Sequence, residues 1–352
     1  YTRAAAVRHA AGHSPLFSSG KVLLFFVLFG SGPLAVLAQK QDKAALHYVV
    51  SFPDPGSHTY QVELQLSQWT ADTLRLKMPR WMPGYYQLID YAKSVENIKA
   101  QVKNGKEIPV KKAGDHTWVL AGVRNKPVIL RYSIRTDKQF VANSYVDSAR
   151  AYVVPANTFL YIDGHLGLPV SVKVGLNQKW KNIATGLEPV PGRSNEYSAP
   201  DFDILYDCPI LAGNLQELPS FKVQGIDHRF IGYDIGNFDQ VRFMENLKKI
   251  VETSAALIGD IPYRHYTFIG IGPGQGGIEH LNNTTVSFNG NGLNKPGAMN
   301  RIMNFLAHEY FHHYNVKRIR PFELGPFDYE NGNRTNLLWV SEGLSVYYEY
   351  LV

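Results

Sequence analysis

The stretch that most constrains this chain is His308-Glu309-Tyr310-Phe311-His312, close to its end. Histidines four apart fall on one face of an α-helix, about one turn from each other. Two imidazoles so placed can hold one zinc ion, and the glutamate between them can serve as general base. The run in front reads as the helix that carries them. Met299, Ile302, Met303 and Leu306 recur at helical spacing, and no Pro or Gly interrupts Ala298 to Val316. The pattern therefore predicts a helix from Gly297 to about Val316. Two histidines on an ordinary helix would spell the same five letters, so the rest of the chain has to decide.

A length of 352 residues suggests two domains, and 45% hydrophobic against 19% charged residues gives a globular body. The 21 Tyr and 18 Phe favour a β-rich portion. The formal net charge is +6, but residues 1–38 contribute Arg3, Arg8 and Lys21 and no acids, leaving +3 for the remainder. No basic stripe of the kind nucleic-acid binding needs is present. Lys21 opens a different kind of segment: Val22 to Phe29 is apolar, Gly30 to Pro33 breaks it, and Val36-Leu37-Ala38 fits a small-residue cleavage site. This is the order of a secretory signal peptide, too short to span a bilayer comfortably and leaving no stable membrane insertion once cleaved; an uncleaved anchor is the alternative. Cys208 is the only cysteine, so no internal disulfide is expected, and it reads as a buried structural residue.

Residues 44–215 read as an N-terminal β domain. Tyr60 to Leu66, Leu74 to Met78, Val128 to Ile134 and Val170 to Val174 alternate apolar and polar side chains. Asn104-Gly105 marks a hairpin between Ile98–Val102 and Ile108–Val110. Short strands and regular turns suggest an antiparallel β-sandwich. Pro79 to Tyr86 (PRWMPGYY) is either a loop presenting aromatics to a cleft or a rigid packed corner. The pattern changes near residue 215. Phe221 to Tyr233 has room for two short strands, and Phe238 to Ile258 reads as an amphipathic helix with Val241, Met244, Leu247, Val251, Ala255 and Ile258 on one side, stopped by Gly259. A strand at Tyr266–Ile271, a glycine-rich turn at Gly272–Gly277, the run Ile278-Glu279-His280 and a strand at Thr284–Phe288 lead to the histidine helix. Lys317, Arg318 and Arg320 follow it, as a helix C-terminus favours. Residues 322–335 read as loop, and Asn336 to Val352 as a second helix that stops without a cap.

A catalytic zinc takes three protein ligands and leaves one position open. After His312 the candidates are Glu323, Glu330, Glu342 and Glu349. Glu323 and Glu330 sit in a Pro/Gly-rich loop, and Glu342 and Glu349 share a helix face. Glu342 lies among Trp339, Val340, Leu344 and Val346, where a carboxylate is costly to bury unless it meets a cation, and this favours it as third ligand.

HEYFHHYNVKRIRP at 308–321 and LWVSEGLSVYY at 338–348 together resemble the M61 metallopeptidases, the glycyl aminopeptidase family, which are gluzincins. Gly276-Gly277-Ile278-Glu279-His280 resembles that family's GG-x-E-H element, and Trp81-Met82-Pro83-Gly84-Tyr85-Tyr86 its W-x-P-G-S-Y signature, with Tyr85 in place of Ser. The resemblance implies an α+β chain: a β-sandwich-like N-terminal domain before a thermolysin-like α/β catalytic domain at 216–352, continued in relatives by helices and a PDZ-like domain. It implies one zinc on His308, His312 and Glu342, with Glu309 deprotonating the zinc-bound water. It also implies that Glu279 receives the substrate's α-amino group, with the Gly276 and Gly277 backbone beside the substrate.

The expectation is thus an exported zinc aminopeptidase, periplasmic or extracellular in a bacterium, releasing small N-terminal residues such as Gly or Ala from peptides. A zinc endopeptidase and a non-catalytic peptide-binding protein are the alternatives. His313 points about 100° from His312 around the helix and should not share the metal.

Overall fold

The computed structural model describes residues 44–103 and 105–352. The signal-like segment and Asn104 of the hairpin turn lie outside the described residues. Within them the architecture is α+β, with most strands before residue 215 and the long helices after it. No helix among them is long and apolar enough to cross a membrane.

Strict alternation does what it should in the strand Thr59–Ser67, where Tyr60, Val62, Leu64 and Leu66 are buried and Gln61 and Gln65 exposed. This strand is central in an eight-stranded sheet, paired antiparallel to Ala45–Ser51 on one side and Val128–Arg135 on the other. The sheet is not wholly antiparallel: Ala45–Ser51 runs parallel to Val170–Gly175. The expected hairpin forms, with Ala100 opposite Ile108. Two four-stranded sheets complete this half, and their inward residues join one core with the large sheet. Lys77 breaks the alternation of its strand. It is buried because its ammonium meets Asp163 at 3.1 Å and Glu330 at 2.8 Å.

The fourth sheet has six strands and begins at Gln216. Ile226–Gly232, His265–Gly270 and Asn283–Val286 run parallel, and Gly277–Glu279 closes one edge antiparallel. The period of two gives this sheet two working faces. Ile231, Ile269 and Ile278 join the β-rich core, whereas Phe230 and Phe268 face the helices. The sheet is therefore a shared wall between the β-rich half and the helices.

Four α-helices are present among the described residues: α1 Phe202–Tyr206, α2 Gln240–Ile258, α3 Ala298–Phe311 and α4 Leu338–Glu349. Asp239 caps α2 by accepting from Arg242 N–H at 3.0 Å, and Gly259 ends it in the left-handed conformation. Its buried face holds Phe243, Met244, Leu247, Ile250 and Val251, but Val241, which the sequence placed on that face, is exposed. The histidine helix also stops early, at Phe311 rather than Val316. The next turns tighten, with Tyr314 N–H donating to Phe311 O, and the Asn315 carbonyl folds back to the His312 ring. Neither Pro nor Gly is involved, so no breaker marked this end. The cations beyond it are not merely dipole partners. The Lys317 side chain, 6% exposed, meets Asp207 at 2.5 Å, and Arg318 pairs with Asp260 at 2.7 Å.

Candidate metal and peptide site

Helix α3 presents His308 and His312, and α4 packs beside it. The close packing follows from small side chains: Ser341 and Ser345 are the buried residues of α4, and the Phe311 and Tyr348 rings stack at 4.2 Å. Asn315 donates to the Ser341 carbonyl at 2.8 Å and fixes the register. Glu342 Oε2 then lies 3.4 Å from His308 Nε2 and 3.7 Å from His312 Nε2, and the two Nε2 atoms are 3.0 Å apart. Tetrahedral ligands with zinc bonds of about 2.0–2.2 Å stand roughly 3.3–3.5 Å from each other, so this set fits. All three ligand atoms lie within 4.8 Å of one another.

The other ring nitrogens are occupied. His308 Nδ1 is 2.9 Å from Glu349 Oε2, and His312 Nδ1 is 3.0 Å from the Asn315 carbonyl and 3.1 Å from Ser345 Oγ. A donor held at Nδ1 fixes the ring and leaves the Nε2 lone pair for a metal. Glu349, read from sequence only as the weaker ligand candidate, thus orients His308. Its seven-residue spacing from Glu342 was the visible signal. The burial argument for Glu342 does not hold, since its side chain is 51% exposed against 14% for Glu349. What sets Glu342 apart is that it reaches both Nε2 atoms.

Charge is concentrated here. Hydrogen bonds from His308 and His312 hold the Glu342 carboxyl down at about 2. Burial alone would lower His312, but Glu342, Glu279 and Glu309 outweigh it and bring the imidazole to about 9. Burial, with the Glu279 charge, pushes Glu309 up to about 8. Glu309 rests against the edge strand: a Cβ at Gly277 would stand 2.8 Å from Glu309 Cδ, so a side chain there would push that carboxylate aside. Gly276 needs glycine for its φ of +89°, not for space, since its nearest neighbour is Val141 Cγ2 at 3.6 Å.

Glu279 is buried on the same strand face as Gly277, and Tyr86 from the β-rich half donates to its Oε1 at 3.1 Å. Burial, with the Glu279 charge, raises the Tyr86 phenol well above the usual tyrosine range and keeps it a donor. The segment Pro79–Tyr86 is thus both things the sequence allowed: Trp81 and Met82 are buried, while Tyr86 reaches the site. His280 turns away to Asp207 at 3.0 Å. His313 is not on the surface. It is buried among Tyr263, Tyr266, Tyr310 and Tyr314, and burial lowers it to about 3. Cys208 is free and buried.

The family model of the peptidase M61 N-terminal domain matches residues 47–214, and that of M61 glycyl aminopeptidase matches residues 301–352. The chain belongs to the M61 peptidase family. Among solved structures, this M61 chain is similar to an aminopeptidase N family protein from Idiomarina loihiensis, with 28% identity and a TM-score of 0.80 over 86% of the chain. It spans about half of that structure, 53%. A mutant M1 zinc metallopeptidase from Deinococcus radiodurans, bound to a Tyr-Ser-Ala substrate, aligns with 77% of the chain and 65% of its own at 14% identity and a TM-score of 0.47. No curated protein matches.

Proposed function

We propose that this chain carries the centre of an exported zinc metallopeptidase that removes small residues, such as Gly or Ala, from the free N-terminus of peptides. The observation that carries the reading is the convergence of His308, His312 and Glu342 with two buried carboxylates, Glu309 and Glu279, beside one edge strand. A zinc ion on the three ligands would supply a Lewis acid for the scissile carbonyl and an acidified water. Glu309, between the two histidines, takes the proton of the attacking water and returns it to the leaving amine. Glu279 offers a carboxylate to the substrate's ammonium, which is the feature that makes an exopeptidase. The family description favours glycine at the first position, and the apolar run Val22–Phe29 favours export.

The test joins metal and turnover. Purified protein should hold one zinc by elemental analysis, lost in Glu342→Ala. Glu309→Gln should keep the zinc and lower hydrolysis of alanyl peptides by about 10²–10⁴-fold. Cleavage of N-acetylated peptides would instead make it an endopeptidase, and a zinc-loaded protein that binds but cuts nothing would make it a binding protein.

A further inference from the structure

Glu279 is the residue on which exopeptidase action turns, yet its strand is only three residues long and lies at the sheet edge. Such a strand does not by itself hold a carboxylate still. The side chain is fixed from elsewhere. Tyr86 occupies Oε1, and Gly84 packs closely against the same side chain: a Cβ there would stand 3.3 Å from Oε2 and 2.6 Å from Ile278 Cγ2.

Tyr86 is not a passive neighbour. Its φ is +56°, in the left-handed region that bulky L residues avoid and that recurs where function demands an orientation. The conformation is over-determined by its surroundings. Tyr86 N–H donates to Met82 O at 3.2 Å, and its ring meets the Trp81 edge at 6.1 Å. Trp81 is in turn gripped by the loop between α3 and α4. A Cβ on Gly332 would stand 2.6 Å from Trp81 Cδ1, Phe327 lies against the indole, and Arg80 N–H donates to Tyr329 O at 2.7 Å. The same loop leads into the helix of Glu342. On the other side, Asp207 of the β-rich half accepts from Leu281 N–H at 2.8 Å, just past Glu279.

We infer that Tyr86 is a positioning residue for substrate binding: its hydroxyl pins one oxygen of Glu279, so that the other receives the N-terminal ammonium of a peptide. The β-rich half thereby completes the amine subsite. The inference rests on Glu279 being the amine anchor proposed above.

The test uses the zinc-loaded Glu309→Gln protein, whose turnover should be cut by about 10²–10⁴-fold, and calorimetric binding of Ala-Ala-Ala and N-acetyl-Ala-Ala-Ala. The free peptide should bind more tightly. Adding Tyr86→Phe should weaken the free peptide about tenfold, the scale of a hydrogen bond to a charged group, and leave the acetylated one unchanged. With Glu279→Gln already present, Tyr86→Phe should change neither, because it acts through that carboxylate. Equal weakening of both peptides, or an effect that adds to Glu279→Gln, would mean a structural role only and overturn the inference. If the parent binds both peptides alike, the amine anchor itself is wrong, and with it the inference, while zinc content and cleavage of acetylated peptides still report on the metallopeptidase reading.

Discussion

Helices α3 and α4 supply the two sides of the candidate metal site and are held in opposite ways. On α3, Leu306, Ala307, Tyr310 and Phe311 are almost fully buried, so the core fixes His308 and His312. On α4, the buried residues are two serines, while Trp339, Leu344, Val346 and Tyr347 are 43–71% exposed. Glu342 is placed instead by polar ties: Asn315 to Ser341, Ser345 to His312, Glu349 to His308. A hydrophobic face locks a helix against its neighbours without direction, whereas hydrogen bonds through small residues fix register at little cost in area. Two of the three ligands thus come from the rigid side, and the third from a helix that depends on the site for its own alignment.

That contrast can be broken from either side. Leu306→Ala should cost about 2–5 kcal/mol in denaturant unfolding, because it opens a cavity under the histidines, whereas Trp339→Ala in this chain should stay within about 0.5 kcal/mol. Similar losses for the two would show that α4 is packed as firmly as α3. Next in size, Glu349→Gln should weaken zinc binding about 10–100-fold in a chelator competition without removing a ligand, since it frees His308 to rotate. An unchanged affinity would mean that α3 packing alone orients that ring.

The smallest effect is in pH. In the metal-free protein Glu309 rises from 4.5 to about 8 and His312 from 6.5 to about 9, so both bind protons more tightly folded than unfolded. Glu309 therefore erodes stability as pH climbs from 4.5 through 8, and the His312 contribution, complete below 6.5, fades by 9. The melting temperature should fall on the order of 5 °C between pH 6 and 9, and zinc, which replaces these protons, should flatten the slope. Glu342, held at about 2, acts only at the acid end, its contribution being lost as pH falls from 4.5 through 2. A metal-free protein that melts higher at pH 9 would contradict the α3 half of this account.

The sequence by itself determined the periodic parts and the motif. Alternation located the strands around Tyr60 to Leu66 and Val170 to Val174, helical spacing located α2 and most of α3, and HEYFH named the histidine pair, because each of these is encoded by neighbours a few residues apart. Only the tertiary structure decided what depends on residues far apart in the chain. The burial of Lys77 is set by Asp163 and Glu330. Likewise Glu342 faces both imidazoles only because Asn315 fixes the register of α4, and Tyr86 meets Glu279 across 193 positions. Local pattern reports which face of an element is apolar; it does not report which distant polar group that element will meet, because such contacts exist only once the wall between the two halves has formed.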